Sequence, residues 1–91
     1  MTTIRDNPAE HRFELDIENG HMAVLYYRLA PGVITLTHTE TPPQFTGRGI
    51  ASRLVHEVLQ TARARGLKVV PQCAFVAAYI GKHPEFADLL K

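Results

Sequence analysis

Between Arg12 and Glu18 apolar and charged residues alternate without a break, with Phe13, Leu15 and Ile17 on one side and Arg12, Glu14, Asp16 and Glu18 on the other. A period of two is that of a strand with one buried and one wet face. Asn19-Gly20 follows, a dipeptide that accepts positive φ at both central turn positions, so the run His21 to Leu29 is expected to return antiparallel. Its stretch Met22-Ala23-Val24-Leu25-Tyr26-Tyr27 is apolar on both sides and predicts a central strand covered on both faces. Ala30-Pro31-Gly32 supplies the next turn, and the β-branched run Val33 to Thr41 is the third strand of an antiparallel meander.

Pro42-Pro43 ends the ladder, because neither residue has an N–H to donate. The period then changes. Ile50, Leu54, Val55, Val58, Leu59 and Ala62 form a helical stripe, and Arg65-Gly66 provides a cationic last turn and a glycine cap. Leu67 to Pro71 is a short buried strand, placed parallel to the third by a right-handed crossover through the helix. Ala74 to Lys82 is a short helix carrying Phe75, Ala78 and Tyr79, and His83-Pro84 separates it from a last turn, Glu85 to Leu90. The predicted fold class is α+β, a mixed, mostly antiparallel sheet of about four strands with a long helix and short C-terminal helices. Met1 to His11 is polar and is assigned no element.

With 91 residues, 45% of them hydrophobic and 21% charged, the chain is expected to form a single domain over residues 1–91. No apolar run has the roughly 20 residues needed to span a bilayer, and the polar start lacks the apolar segment of a signal peptide, so a cytoplasmic protein is expected. A formal charge of +1 gives no basic sheath for nucleic acid. Cys73 has no cysteine partner, and the five histidines lack metal-site spacing, so neither an intrachain disulfide nor a metal is expected. A domain this small without a staple needs an efficient core or one shared with a second copy, which leaves monomer and homodimer open.

The chemistry concentrates in Gln44-Phe45-Thr46-Gly47-Arg48-Gly49, between a strand and a helix. Two glycines let backbone N–H groups converge, and the helix start adds unpaired amides, so an anion such as a diphosphate suits this point. Arg48 and Arg53 are positioned to reach further phosphates. No Gly-Lys-Ser/Thr follows, and the third glycine and downstream acid of a dinucleotide site are missing. On the residues alone, a plain strand-to-helix turn competes equally with an anion cradle.

The loop matches the Q/R-x-x-G-x-G/A signature of the GNAT superfamily of acetyl-CoA-dependent N-acetyltransferases. The tracts HTETPPQFTGRGIASRL, GLKVVPQCAFVAAYI and KHPEF resemble small single-domain GNAT-like proteins over His38 to Phe86. The resemblance implies a minimal GNAT-like fold, acetyl-CoA as co-substrate and an amine acceptor. It places the pantetheine arm where the strand edge Thr39 to Thr41 diverges from Val69 to Cys73, with Pro42 and Pro71 ending the pairing. It puts the diphosphate on the amides of Phe45 through Ala51, with Ser52 nearby. Thr39, Thr41, Gln44, Phe45, Thr46, Gly47, Arg48, Gly49, Ile50, Ala51 and Ser52 are thus the implied cofactor-binding set. The N-terminal helices that wall the acceptor site in larger members are expected to have essentially no counterpart before Arg12. An open groove, or one completed by a second subunit, would accept a protein lysine, a polyamine or a small metabolite.

Acetyl transfer needs a base for the amine and an acid for the leaving thiolate. Glu40, beside the slot, is a candidate base or an exposed strand-end acid. Tyr79 matches by resemblance the tyrosine that protonates the thiolate; alternatively it is a core residue, paired i, i+4 with Phe75. Cys73 precedes a helix whose dipole would favour its thiolate, which makes it a candidate nucleophile for a two-step route or an inert pocket wall. His38 and His83 are possible bases or structural residues. Two other classes stay open. One is a noncatalytic acyl-CoA-binding or protein-interaction module of the same fold, and the other an RNA- or protein-binding α+β domain, against which the near-neutral charge argues.

Overall fold

A computed structural model describes residues 4–91. Five strands, β1 (Ile4–Asn7), β2 (Arg12–Asp16), β3 (Met22–Ala30), β4 (Val33–Glu40) and β5 (Lys68–Pro71), form one sheet in the order of the sequence. The first three pairings are antiparallel and β4–β5 is parallel. The sheet therefore has one strand more than the hydrophobic pattern predicts. β1 escapes that pattern because its polar residues have polar partners: Arg5 lies opposite Glu14 and Asn7 opposite Arg12, while the Tyr27 hydroxyl donates to Asp6 Oδ1 at 2.5 Å.

Those partners also bury a charge. Glu14, on the nominally wet side of β2, is 5% exposed. Its carboxylate accepts from Asn7 Nδ2 at 3.0 Å, Arg12 Nε at 2.7 Å and Arg5 Nη2 at 3.0 Å. The Asn7 amide and the Arg12 guanidinium, helped by Arg5, outweigh desolvation and hold the carboxyl down at about 2.

At the β2–β3 turn both Asn19 (φ 62°) and Gly20 (φ 77°) adopt the positive φ expected of them. The connection is longer than a two-residue hairpin, since strand pairing ends at Asp16–Met22 and the Ile17 N–H closes the loop on the His21 carbonyl at 2.8 Å. The turn projects Glu18 and His21 toward the glycine loop, which matters below.

Helix α1 (Ile50–Ala64) buries Leu54, Val55, Val58, Leu59 and Ala62, the predicted stripe. Helix α2 (Ala74–Lys82) buries Val76, Tyr79 and Ile80 and is followed by a 3-10 segment, Pro84–Leu89. These residues share one core with Phe13, Leu15, Leu25, Tyr27, Ile34, Leu36 and Val69 from a single face of the sheet. Each fully buried side chain of this size contributes about 1.5–3 kcal/mol. The reading of β3 as covered on both faces is corrected in part: on the opposite face Val24, beside Glu14, is buried, but Met22 and Tyr26 are only half-buried and line an open groove. Among the described residues no helix is long and apolar enough to cross a membrane.

The feature that shapes the site is a bulge in β4. Tyr26 pairs with His38 and Tyr27 with Leu36, leaving Thr37 as the extra residue. Before the bulge Ile34 and Leu36 point toward the helices. After it Thr39, opposite the buried Leu25, and Thr41 take that side, and His38 and Glu40 turn to the open face. Pairing with β5 runs only from Val33–Lys68 to Leu36–Pro71, closed by the Cys73 N–H on the Leu36 carbonyl at 2.9 Å. Val69, Val70 and Pro71 thus remain zipped to β4, so the opening lies further along than the sequence suggests. Of the Val69 to Cys73 stretch, Cys73 faces Thr39.

Candidate active site

Beyond the end of β5 pairing lies a groove of about 450 Å³. Thr39 of β4 and Thr41, just past its end, form one wall, Phe45, Thr46, Gly47 and Gly49 the loop side, Ile50, Ala51 and Ser52 the start of α1, and Phe75 the rim. Most of the residues expected at the cofactor are therefore brought together. Gln44 and Arg48 are not on this wall: Gln44 Nε2 meets His21 Nε2 at 3.3 Å, and Arg48 Nη1 meets Glu18 Oε1 at 3.0 Å with its guanidinium over the Phe45 ring.

The groove carries no acidic side chain. Helix α1 begins after Gly49 with no side-chain cap and no acidic residue in its first turn. Its leading amides consequently face the groove with the positive end of the helix dipole behind them. Gly47 (φ 80°) and Gly49 (φ 75°) hold a left-handed backbone, and a Cβ at either would meet open space, so it is the backbone angle that demands glycine. Thr41 Oγ1 is buried on the same wall with no hydrogen-bond partner. An anion for the amides and a polar chain for the hydroxyl are what this arrangement fits, and a diphosphate carrying a pantetheine arm supplies both.

Cys73 sits one contact behind the wall, with Sγ 3.3 Å from Thr39 Oγ1. Burial alone pushes its thiol up; hydrogen bonds from Thr39 Oγ1 and from the amides of Val76, Phe75 and Thr39 outweigh it and leave the pKa below the ordinary thiol value. Cys73 caps the N-terminus of α2.

The remaining candidates occupy neighbouring grooves. Glu40 is exposed on the open face, where its Oε2 lies 3.1 Å from His38 Nε2 in a groove of about 560 Å³ that shares Thr39 and Thr41 with the first. It therefore stands across the strand from the loop groove. Tyr79 lines a third groove, of about 630 Å³, which shares Gly49, Ile50 and Ser52 with the first. Its hydroxyl meets His56 Nδ1 at 3.2 Å and its ring stacks on His83, whose Nδ1 is 2.8 Å from the Tyr79 carbonyl oxygen. Burial, and then the charge of Glu85, push the phenol up and keep its proton on. Phe75 is 42% exposed, so its i, i+4 spacing with Tyr79 marks a groove rim rather than a second core residue. Arg53 borders the third groove as well. Sequence reasoning missed Glu18, His21 and His56, for whose roles no local motif exists.

The GCN5-related N-acetyl-transferase family model matches residues 12–89. Protein NATD1 of Homo sapiens and of Mus musculus are each 31% identical to the chain over 61 residues, which is 67% of this chain and 54% and 56% of those proteins. The chain thus matches little more than half the length of these relatives. The NMR solution structure of a GCN5-like protein from Staphylococcus aureus superposes with a TM-score of 0.68 at 26% identity, covering 97% of this chain and 86% of that one. With the bulged fourth strand, the open edge and the uncapped helix start all in the matched region, the chain belongs to the GCN5-related N-acetyltransferase family.

Proposed function

We propose that residues 1–91 act as one domain that binds acetyl-CoA in the loop groove and transfers its acetyl group to an amine. The observation that carries this reading is the buried, partnerless Thr41 hydroxyl on the wall that faces the uncapped start of α1. When bound, the co-substrate supplies an acetyl group activated as a thioester. The amides of Phe45 through Ala51 hold the diphosphate, and Ser52 lies at its side. Thr39, Thr41 and the free edge of β4 hold the arm, and Phe75 covers it from water. Glu40, on the acceptor side of the strand, takes the amine's proton. Tyr79, protonated and firmly placed, supplies one to the departing sulfur.

The lowered thiol pKa of Cys73 favours a two-step route in which Sγ carries the acetyl group before the amine does. A binding module without turnover is the second reading, favoured by the engagement of the Tyr79 hydroxyl with His56. Calorimetric titration with acetyl-CoA, a turnover assay with a primary-amine panel and mass spectrometry of the protein separate the three. Saturable binding, CoA release in excess of protein and an acetyl adduct that disappears in Cys73→Ala together with activity are expected. Binding without turnover moves the assignment to the module, activity that survives in Cys73→Ala removes the two-step route, and no binding refutes the reading.

A further inference from the structure

The glycine loop is tied to a distant turn. Glu18, in the β2–β3 connection, holds Arg48 Nη1 at 3.0 Å, and His21 contacts both Gln44 Nε2 at 3.3 Å and the Phe45 ring at 5.3 Å between centroids. Arg48 also lies over Phe45, with its guanidinium carbon 5.3 Å from the ring centre. The cation of the glycine loop is therefore already paired with a carboxylate, and an arriving anion has to compete with that carboxylate for it. Both side chains of the pair are more than half exposed, so the contact is soft and screened by salt.

We propose that Glu18 is an affinity-determining residue of the acetyl-CoA site, an internal anion that competes with the ligand's phosphates for Arg48. This rests on the reading of the loop groove as the CoA site. Wild-type recognition then leans on the backbone amides and the groove, and a polyphosphate lacking an arm gains little from Arg48. Removing the Glu18 charge while keeping its shape returns Arg48 to the phosphates. The gain belongs to the phosphate end of the ligand, so it has the same size for CoA and for ADP. His21 and the cation–π contact keep the loop in place without Glu18.

The test is calorimetric titration of CoA and of ADP into the wild-type protein, Glu18→Gln, Arg48→Gln and the double variant, at low and at high salt. In Glu18→Gln the dissociation constant for both ligands is expected to fall by about two- to fivefold, the range of an exposed ion pair. The gain should vanish in the Arg48→Gln background and shrink toward unity at about 1 M salt, where the screening length is about 3 Å. Unchanged or weaker binding in Glu18→Gln, or a gain that persists without Arg48, overturns the competition while leaving the CoA site standing. Absence of CoA binding in the wild-type protein overturns the site and the role of Glu18 with it.

Discussion

Substituting Thr41 by valine removes the one buried side-chain oxygen or nitrogen that lacks a hydrogen-bond partner among the described residues, and the effects on stability and on ligand binding should have opposite signs. Thr41 Oγ1 is buried and lacks a partner, so the ligand-free protein carries the desolvation penalty of a hydroxyl, about 1–3 kcal/mol. Valine keeps the β-branched shape at the end of β4. Thr41→Val is therefore expected to stabilise the free protein by about 1 kcal/mol, raising Tm by roughly 4–8 °C at this chain length. The same change deletes the hydrogen bond that the arm of bound acetyl-CoA would satisfy, weakening affinity by about five- to tenfold, or about 1–1.4 kcal/mol. Thr41→Ser, which keeps the oxygen, should retain the affinity. Differential scanning fluorimetry with and without acetyl-CoA, paired with calorimetric titration, reads both signs. A Tm that falls in Thr41→Val, or a dissociation constant that does not move, would refute the assignment of this hydroxyl to the ligand.

Acid should act through Glu14. Its carboxyl lies at about 2 in the folded chain against 4.5 for the ordinary group, so it stabilises the protein above about pH 4.5 and loses that contribution as pH falls toward 2, about 3 kcal/mol in all. Urea unfolding at stepped pH should show this slope in the wild-type protein and a shallower, lower curve in Glu14→Gln; parallel curves would remove Glu14 as the cause. Gly49→Ala forces a Cβ onto a φ of 75° and is expected to cost about 1–2 kcal/mol of stability in urea titration and to weaken acetyl-CoA binding by re-aiming the first amides of α1. Wild-type affinity in that variant would mean that the amides do not hold the ligand.

The elements that the sequence made legible are those whose signal is local. The alternation in β2, the stripe in α1 and the Asn19-Gly20 and Pro31-Gly32 turns each depend on side chains within a few positions of one another, and each appears close to where expected, although β2 stops at Asp16 and the turn after it is longer than a two-residue hairpin. β1 was illegible because Arg5, Asp6 and Asn7 are stabilised by Glu14, Tyr27 and Arg12 on other strands. The position of the β4–β5 opening is illegible for a similar reason, since it is set by pairing that ends at Leu36–Pro71, residues far apart in the chain. At the site, the glycines and small residues around the helix start could be named in advance because a left-handed backbone restricts residue type strongly. The fates of Arg48, Gln44 and Tyr79 could not, because Glu18, His21 and His56 lie far from them in the chain.

The single additional residue in β4 sets the parity of everything downstream on that strand. Were the ladder regular, the imidazole and carboxylate of positions 38 and 40 would crowd the interior beside the helices, and the threonines of positions 39 and 41 would be turned out of it. Loss of one codon there would exchange the inner and outer chemistry of the strand while leaving its length, composition and turn residues almost untouched. In this small protein, which side chains face the helices and which face the open groove is therefore a matter of counting residues as much as of choosing them.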